Sequence, residues 1–409
     1  MRVLRFQAYY APEKVASSHL VEDLLSACAE ADIYTVIHVP VPSRGVDRQT
    51  YQKYKKIKQE TQFNGMVEIS RFSMFREGRN PVFRALRYFL CNVIQYRKGV
   101  RAKNIDVVYC ASTPPTQGLL CGMIKKRLSR KYKRPVPFVY NLQDIFPDSL
   151  VTTGMTKEGS FLWKLGRKME DYTYSSADKI IVISQSMKRN IMAKGVPEEK
   201  IEVVSNWIDA DAVKPVEKEN NRLFEEFDID KEKFTVVYAG NFGAAQGAHV
   251  VLEAAKLLPD VQFVIFGGGA EYAAAQQKAE SLPNVIVNGL LPQDRVPEVY
   301  SLGDVCLITC KKDVGTSGMP SKTWSIMACN TPIIAAFDTD SELAEILKTS
   351  HAGICVEPEN ANALAEAIDA FAKGENQRYK ENGRPYVTAN ADKKICTGRY
   401  VDTICATIR

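Results

Sequence analysis

The sequence predicts an α/β protein built from two Rossmann-like domains, and three observations support that prediction. The chain has 409 residues, 45% of them apolar, which is more than one hydrophobic core usually holds. Short apolar runs rich in β-branched residues alternate with helical patterns along most of the chain. The alternation is interrupted once, over residues 206–232, by a charged stretch in which no strand begins. We therefore predict one domain over residues 1–205 and a second over residues 206–385.

The first series of elements forms the N-terminal domain. Helical patterns begin near Ser18, Thr116 and Gln185, each after a predicted strand. Strands separated by helices in this way pair in parallel, so we expect a parallel sheet with helices on its faces. The predicted strands are, in order, RVLRF, TVIHV, VEISRF, DVVYCA, PFVYNL, KIIVIS and IEVVSN.

The second series begins after the linker WIDADAVKPVEKENNRLFEEFDIDKEK and ends in helices from Asn362 to the last residue. Ligands of such open α/β sheets bind outside the carboxyl ends of the strands, so we expect the functional residues at that edge. The predicted strands are FTVVYAG, QFVIFGGG, NVIVNG, VCLITC, TPIIAAF and GICVEP.

The cysteines and the apolar runs argue against a secreted or membrane-spanning protein. Ten cysteines are scattered without a CxxC motif, a pattern typical of reduced core thiols in a cytosolic protein. Residues 1–6 already form a predicted strand, so we expect no signal peptide. No apolar run approaches the ~18 residues of a membrane span. We expect a cytoplasmic protein whose membrane contact, if it has one, is peripheral.

The net charge of +6 conceals a strong difference between the two halves. Residues 1–205 hold 34 Lys and Arg against 19 Asp and Glu, whereas the rest of the chain holds 20 against 29. A basic N-terminal half favours an anionic partner such as phospholipid, a lipid pyrophosphate or nucleic acid. No recognised nucleic-acid-binding module accompanies the charge, so we expect no nucleic-acid partner. Solvated surface lysines without a partner are the alternative.

One segment, residues 75–103, mixes aromatic and basic side chains, and the basic runs at residues 53–58 and 125–134 add to it. An amphipathic helix of this composition is able to lie in an anionic membrane interface. We expect Arg84 and Arg87 to face the lipid. An ordinary surface helix that packs its apolar stripe on the core is the alternative.

Two glycine-rich segments each follow a predicted strand and precede a helix. One contains the three glycines of FVIFGGGAEY, and the other contains Gly240 and Gly243 of VYAGNFGAAQG. Without a Cβ, the backbone amides there are able to approach a phosphate at the start of the helix. The alternative is a tight turn that binds nothing. Neither segment is GxGxxG, so a nicotinamide cofactor is not predicted.

A third loop, residues 315–319, leads through Pro320 into a helix with Lys322 in its first turn. A lysine at that end opposes the helix dipole, so we predict a bound anion that neutralises both. A lysine that extends into solvent is the alternative. We expect Ser321 or Thr316 to cap this helix.

The motif DTD at residues 338–340 resembles a known metal-binding DxD motif. It follows a predicted strand, and no cluster of metal ligands accompanies it. We predict a loop in which Asp340 or Ser341 caps the helix SELAEIL, without a metal.

The order of these elements resembles the retaining family 4 glycosyltransferases of GT-B fold, over nearly the whole chain. The matching stretches are ADKIIVISQSMKRNIMAKGVPEEKIEVVSNWID, YAGNFGAAQG, FVIFGGGAE, MACNTPIIA and GICVEP. STPPTQG, LQDIFPDS, GNFGAAQG and MPSK are similar to bacterial O-antigen and capsule transferases of the N-acetyl-L-fucosamine transferase type. The resemblance implies two domains facing each other across a cleft, with a helix over residues 386–409 returning to the N-terminal domain. It implies transfer from a UDP-sugar to a lipid-linked glycan, with no other cofactor.

The resemblance and the loops together predict the site residues. The catalytic candidates are Asp144 and Lys322. The nucleotide-sugar candidates are Gly240, Asn241, Phe242, Gly243, Gln246, Gly267, Gly268, Gly269, Leu290, Leu291, Ser317, Gly318, Met319, Pro320, Ser321 and Ser325. The acceptor candidates are Glu13, Lys14, Ser17, Ser18, His19, Thr113 and Gln143. For His19, capping or packing is the alternative, and for Asp144 the alternative is a buried carboxylate that caps the following turn.

The chain departs from the family pattern at four positions. Ser317 and Ser325 stand where the family has two glutamates, and Asn241 and Gln246 stand where it has the diphosphate-binding Arg and Lys. We expect Lys322 and the loop amides to replace the missing cations. Two other functions stay open, a UDP-sugar 2-epimerase of the same fold and a non-catalytic subunit that binds a partner transferase or lipid.

Overall fold

A computed structural model of the protein describes residues 1–13, 18–78, 80–152, 154–315 and 319–408. The chain divides into two compact units. The N-terminal unit comprises Met1–Ser205 and Cys396–Arg409, and the C-terminal unit comprises Asn206–Ile395. All thirteen predicted strands are present, and helices begin at Ser18, Thr116 and Gln185 as predicted.

The N-terminal unit is a sheet of eight strands in the order β3-β4-β2-β1-β5-β6-β7-β8, with helices packed against it. Seven strands run parallel, as predicted, and the edge strand β3 pairs antiparallel with β4. The elements are β1 (Arg2–Phe6), α1 (Ser18–Glu30), β2 (Tyr34–Pro40), α2 (Arg48–Lys56), β3 (Gln59–Gln62), β4 (Val67–Phe72), α3 (Pro81–Arg101), β5 (Val107–Ala111), α4 (Thr116–Tyr132), β6 (Phe138–Leu142), α5 (Asp148–Thr152), α6 (Phe161–Ser176), β7 (Lys179–Val182), α7 (Gln185–Ala193) and β8 (Ile201–Val203).

The C-terminal unit contains a fully parallel sheet in the order β11-β10-β9-β12-β13-β14. This is the Rossmann strand order 3-2-1-4-5-6. The direction in which successive strands are added to the sheet reverses between the first and fourth strands, which is the switch point. The elements are α8 (Leu223–Glu226), β9 (Thr235–Asn241), α9 (His249–Leu257), β10 (Gln262–Gly268), α10 (Tyr272–Ala279), β11 (Val285–Gly289), α11 (Val296–Ser301), β12 (Val305–Thr309), α12 (Lys322–Ala328), β13 (Ile333–Ala336), α13 (Glu342–Ser350), β14 (Gly353–Val356), α14 (Ala361–Ala372), α15 (Gly383–Asn390) and α16 (Lys393–Ala406).

The C-terminal helices return to the N-terminal unit later than residue 386. Helix α15 stays with the C-terminal unit because Val387 and Ala391 are buried in its core. From Cys396 onward, α16 belongs to the N-terminal unit, where the Tyr400 hydroxyl donates to Asn141 Oδ1 at 3.0 Å.

Most of the aromatic and basic segment forms α3, and two of its arginines, Arg84 and Arg87, differ in exposure to solvent. Arg84 is exposed, whereas Arg87 is completely buried beside Glu77 and donates from Nε to the Phe75 carbonyl oxygen at 3.2 Å. The expectation that Arg87 faces lipid is therefore wrong, because its guanidinium fixes the segment that precedes α3. Within the described part of the chain, no helix combines the length and apolar character needed to cross a bilayer.

Candidate active site

The loop after β9 lies at the switch point of the C-terminal sheet, beside the end of β12. The Thr309 hydroxyl donates to the Gln246 carbonyl oxygen at 2.7 Å, and the Lys311 amide donates to the Ala245 carbonyl oxygen at 3.0 Å. Gly247 has a φ of +56°, and a Cβ there would lie 3.1 Å from the Cys310 carbonyl oxygen, so both the conformation and the close approach favour glycine. The predicted glycine-rich loop is thus held where Rossmann sheets bind ligands.

The ends of β9 and β10 interlock through backbone and side chain. Gly240 pairs with Gly267, and the Phe242 amide donates to the Gly268 carbonyl oxygen at 2.6 Å. Gly269 has a φ of +117°, and a Cβ there would lie 2.1 Å from Asn241 Oδ1. Both the conformation and the space require glycine at position 269. The two glycine-rich segments therefore form one backbone surface.

Phe242 is buried beneath this surface. Its ring packs edge-on against Tyr238, with centroids 5.2 Å apart, and against Tyr272 at 6.1 Å. The Phe242 ring therefore anchors the loop to the core of the C-terminal unit. Its predicted contact with a nucleotide remains a prediction. On the exposed side, Asn241 Nδ2 donates to Gln246 Oε1 at 3.2 Å. The two side-chain amides are therefore hydrogen-bonded to each other, and because both are neutral they add no charge to this edge of the sheet.

Lys322 begins α12 and turns back onto β9. Its Nζ lies 4.5 Å from the centroid of the Tyr238 ring, and a Cβ on Gly240 would lie 2.5 Å from the same nitrogen. The side chain therefore packs against the glycine edge rather than extending into solvent. Among the described residues, no acidic side chain forms an ion pair with it. Burial lowers the pKa of the Lys322 ammonium to about 8.

The loop before α12 is anchored by the first residue of the DTD motif. Asp338 is buried and accepts hydrogen bonds from the amides of Asp313 at 3.0 Å and Gly315 at 2.7 Å. Ser341 caps α13 by accepting from the Ala344 amide, as predicted. Asp338 therefore fixes the loop, and each of its two carboxylate oxygens accepts one amide hydrogen bond.

The remaining nucleotide-sugar candidates of this loop differ in position. Ser321 precedes α12 but makes no side-chain cap, so that part of the prediction is wrong. Met319 is partly buried against the core, and Ser325 lies one turn after Lys322. Pro320 is half-buried. Ser317 and Gly318, with the proposed cap Thr316, lie outside the described residues.

Two leucines follow β11 at the same edge. Leu290 is exposed, and its side chain lies 3.4 Å from where a Cβ on Gly268 would be. Leu291 packs against the core. Leu290 thus lies next to the glycine surface, and Leu291 supports it.

In the N-terminal unit, Ser112 connects the ends of β5 and β6. Its hydroxyl accepts from the amides of Gln143 at 3.0 Å and Asp144 at 3.2 Å. Asp144 is exposed at the carboxyl edge, so the alternative of a buried carboxylate is wrong. Thr113 is exposed beside it.

A buried polar network that the sequence did not predict supports this edge. Asn141 donates from Nδ2 to the Tyr109 hydroxyl at 3.0 Å and accepts at Oδ1 from Gln143 Nε2 at 2.8 Å. Tyr400 donates to the same Oδ1. Helix α16 thus supports Gln143 indirectly, through the hydrogen bonds that Asn141 makes with both Tyr400 and Gln143. In the sequence, the signal for this network was the polar Asn141 inside the apolar strand FVYNL.

The first loop of the N-terminal unit is organised by Glu13. Its carboxylate is buried and accepts from the amides of Ser43 at 2.7 Å and Arg44 at 2.8 Å, and burial raises its pKa. Glu13 therefore positions two loops, and an acceptor contact remains a prediction. Ser18 is half-buried at the start of α1, and His19 is exposed beside it. Lys14 and Ser17 lie outside the described residues.

Comparison with known families assigns a class to this arrangement. Residues 219–385 match the family described as Glycosyl transferases group 1, and residues 20–212 match Glycosyltransferase Family 4. The chain is a glycosyltransferase of GT-B fold. The two matches fall on the two units, so each half of the transferase carries its own family signature.

Two relatives of the transferase are named as glycosyltransferases, one of them for the biosynthesis of colanic acid. A protein named as a glycosyltransferase, WbjE of Pseudomonas aeruginosa, is 27% identical over 277 residues, covering 67% of this chain and 68% of that protein. A protein named as a colanic acid biosynthesis glycosyl transferase, WcaI of Escherichia coli K12, is 28% identical over 274 residues, covering 65% and 67%. The structure of Anabaena HepE in complex with UDP has a TM-score of 0.69 at 14% identity, covering 99% of this chain and 100% of that one, and it shares the fold.

Proposed function

We propose that this transferase moves a sugar, with retention of configuration, from a UDP-sugar to a lipid-linked glycan in cell-surface polysaccharide synthesis. The observation that carries the proposal is Lys322, an ammonium packed on the glycine edge of the switch point without an acidic partner among the described residues. Such a cation suits a nucleotide diphosphate. The name of WcaI supports the pathway, and UDP in HepE supports the nucleotide. We further propose that the enzyme works in the cytoplasm.

In this reaction, the bond between the sugar and the β-phosphate breaks as negative charge grows on the phosphate. Lys322 and the amides of the glycine edge stabilise that charge, which is the main contribution expected of a preorganised site. The acceptor hydroxyl forms the new glycosidic bond on the face that the phosphate leaves. Its proton passes to the departing diphosphate, so retention requires no covalent sugar on the protein.

The acceptor is assigned to the carboxyl edge of the N-terminal sheet. Asp144, Gln143 and Thr113 lie there on loops joined through Ser112. The exposed carboxylate of Asp144 is suited to hold a sugar hydroxyl or to stabilise positive charge on the sugar carbon. The support of Gln143 by Asn141 gives this edge a fixed geometry.

The proposal is tested with a set of UDP-, GDP- and ADP-sugars that includes UDP-N-acetyl-L-fucosamine. Thermal shift identifies the nucleotide, and mass spectrometry identifies the product on a polyprenyl-pyrophosphoryl glycan. A product heavier than the acceptor by one sugar residue supports the proposal. Conversion of a UDP-sugar to its 2-epimer without acceptor would establish the epimerase instead. Nucleotide binding without turnover on any acceptor would establish a non-catalytic subunit.

We expect turnover to persist in excess EDTA. The positive charge at the diphosphate comes from Lys322 and backbone amides, and the described residues include no group of three His, Cys, Asp or Glu side chains able to hold a metal ion. Initial rates are compared before and after chelation, with Mg²⁺ and Mn²⁺ added back as the control. Loss of turnover that either ion restores would contradict the metal-free assignment.

We expect UDP affinity to fall as the pH rises through about 8, because the free protein loses the proton of Lys322 there. The charged form binds the diphosphate, so binding between about pH 8 and pH 9 takes up protons. Calorimetric titration in two buffers of different ionisation enthalpy measures this uptake. Lys322→Arg is the matched control, since a guanidinium stays charged over the whole range. Equal proton uptake by the wild type and Lys322→Arg would exclude Lys322 as the titrating group.

A further inference from the structure

The first half of α3 extends beyond the carboxyl edge of the N-terminal sheet. Gln95 donates from Nε2 to the carbonyl oxygens of Gln7 and His38, both at 2.9 Å, where β1 and β2 end. One turn later, a Cβ on Gly99 would lie 2.8 Å from the Phe6 ring, so this later part of the helix covers the sheet. Helix α3 begins 14 residues before Gln95. At ~1.5 Å per residue, its start lies roughly 20 Å along the helix axis from Gln95.

Helix α6 extends from the same edge. Thr173 packs against Gly118 in the first turn of α4, and Gly166, two turns earlier, packs against Phe146 and Pro147 in the loop after β6. The start of α6, at Phe161, therefore lies beyond the loop that carries Asp144. On the other side of α4, Gln117 donates to Asn92 of α3 at 3.3 Å. The two helix starts thus flank α4 at the acceptor edge.

Both starts expose large apolar side chains. We call residues 83–90 of α3 and residues 161–165 of α6 the projecting ends. Phe161 is 85% exposed, and Phe89 is 64% exposed. The other exposed apolar residues of the projecting ends are Phe83, Leu86, Leu90, Leu162 and Leu165. Apolar residues at this density on separate helix starts mark an interaction surface rather than scattered exposure.

The charge on α3 and α4 has one sign. Helices α3 and α4 together hold ten basic residues and no acidic residue. Arg84 and Lys164 are exposed within the projecting ends, and Lys126 and Arg127 are exposed on α4. A symmetric dimer through this surface would place basic residues against their own copies, which is unfavourable. An anionic bilayer complements both the charge and the apolar side chains.

We propose that the projecting ends of α3 and α6 insert together into an anionic membrane surface and dock the N-terminal unit there. The inference rests on the proposed function, because it assigns the surface that brings a lipid-linked acceptor to Asp144 and Thr113. It differs from the sequence-based expectation in two respects. The start of α6 forms half of the surface, and Arg87, although it lies within the projecting end of α3, is buried and contributes no side chain to the surface.

The full-length protein is tested by co-sedimentation with vesicles of phosphatidylcholine alone or mixed with phosphatidylglycerol. We expect binding only to the anionic vesicles, and weakening by salt. Phe89→Ser with Phe161→Ser should lower the partition coefficient at least roughly tenfold. Leu257→Ser with Ile395→Ser, which removes two exposed apolar residues of the C-terminal unit, is the matched control and should bind normally. Equal binding by both double variants would overturn the proposal, as would indifference to lipid charge.

Tryptophan fluorescence reports the insertion directly. The chain has three tryptophans, and Trp207 and Trp324 are buried in the C-terminal unit. Trp163 is half-buried within the projecting end of α6. Brominated phosphatidylglycerol should therefore quench Trp163 on binding, and Trp163→Phe should abolish the quenching. Unquenched fluorescence in sedimenting protein, or self-association of the lipid-free protein that Phe89→Ser with Phe161→Ser abolishes, would contradict insertion.

Activity separates this inference from the proposed function. The Phe89→Ser, Phe161→Ser variant should keep wild-type turnover on a short-chain, water-soluble acceptor and lose turnover on the acceptor in vesicles. Equal turnover of wild type and variant in vesicles would refute docking and leave the transferase assignment intact. Vesicle binding with no turnover on any donor and acceptor would refute the proposed function and leave docking intact.

Discussion

Lys322→Met is expected to lower turnover by roughly tenfold or more and, without donor, to raise the melting temperature of the protein. The charged ammonium is buried against Tyr238 and Gly240, and burial lowers its pKa to about 8. Since the folded pKa lies below the unfolded value, the charged lysine destabilises the folded state at neutral pH. That cost disappears as the pH rises from about 8 toward the ordinary lysine pKa of ~10.4. Methionine keeps the length of the side chain and removes the charge.

The measurement combines turnover with thermal melts at neutral and alkaline pH, with and without UDP. The variant should melt higher than the wild type at neutral pH, and the difference should shrink at alkaline pH. UDP should stabilise the wild type and not the variant. Lys348→Met, an exposed lysine on α13, is the control and should change neither quantity. Full turnover, or a variant that melts lower than the wild type at neutral pH, would remove Lys322 from the proposed role.

The positions of the strands and of the helix starts along the chain were predictable because their sequence signals are local. Apolar runs of strand length alternate with helical patterns, and all thirteen runs form strands. β3 was missed because its sequence, QETQ, is entirely polar and pairs only at the sheet edge through its backbone. A strand with no buried apolar face has no hydrophobic pattern to reveal it.

The position of single loops at strand ends was predictable, whereas contacts between residues distant in sequence were not. Gly240 and Gly267 were identified because each follows an apolar strand. The approach of Lys322 to Tyr238 depends on β9 and β12 being neighbours, which the linear sequence does not state. Glu13 and Arg87 look like surface charges in sequence, yet both are buried and hold loops. Buried ionic groups follow from tertiary hydrogen bonds, which have no periodic signature.

The neutral pair at positions 241 and 246 has a structural explanation. Asn241 packs its Oδ1 against Gly269 and donates to Gln246, so its side chain fixes the relation between the ends of β9 and β10. A long basic side chain at position 241 would have to leave this contact. Asn241 and Gln246 therefore build the shape of the edge, and we propose that Lys322 supplies its charge.

Gly269→Ala is expected to destabilise the protein by roughly 2–4 kcal/mol and to weaken UDP binding at least tenfold. The new Cβ would lie 2.1 Å from Asn241 Oδ1 and 2.8 Å from the Phe242 carbonyl oxygen, at a φ of +117° that alanine rarely adopts. The displaced residues would include the loop amides proposed to bind the diphosphate. Denaturant melts measure the free energy of unfolding, and calorimetry measures the affinity for UDP. Gly289→Ala, at the end of the neighbouring strand with no atom within 4 Å of its Cβ, is the matched control.

A double-mutant cycle with Asn241→Ala separates the two causes of this loss. Removing Oδ1 relieves the closest contact but leaves the backbone strain and the Phe242 carbonyl oxygen in place. The double variant should therefore be more stable than the sum of the single effects predicts, by about 0.5–3 kcal/mol, while remaining less stable than Asn241→Ala alone. Additive effects would mean that the side chain of Asn241 does not lie against Gly269. A Gly269→Ala protein as stable as Gly289→Ala would mean that the two strand ends do not interlock, and the proposed diphosphate site would lose its framework.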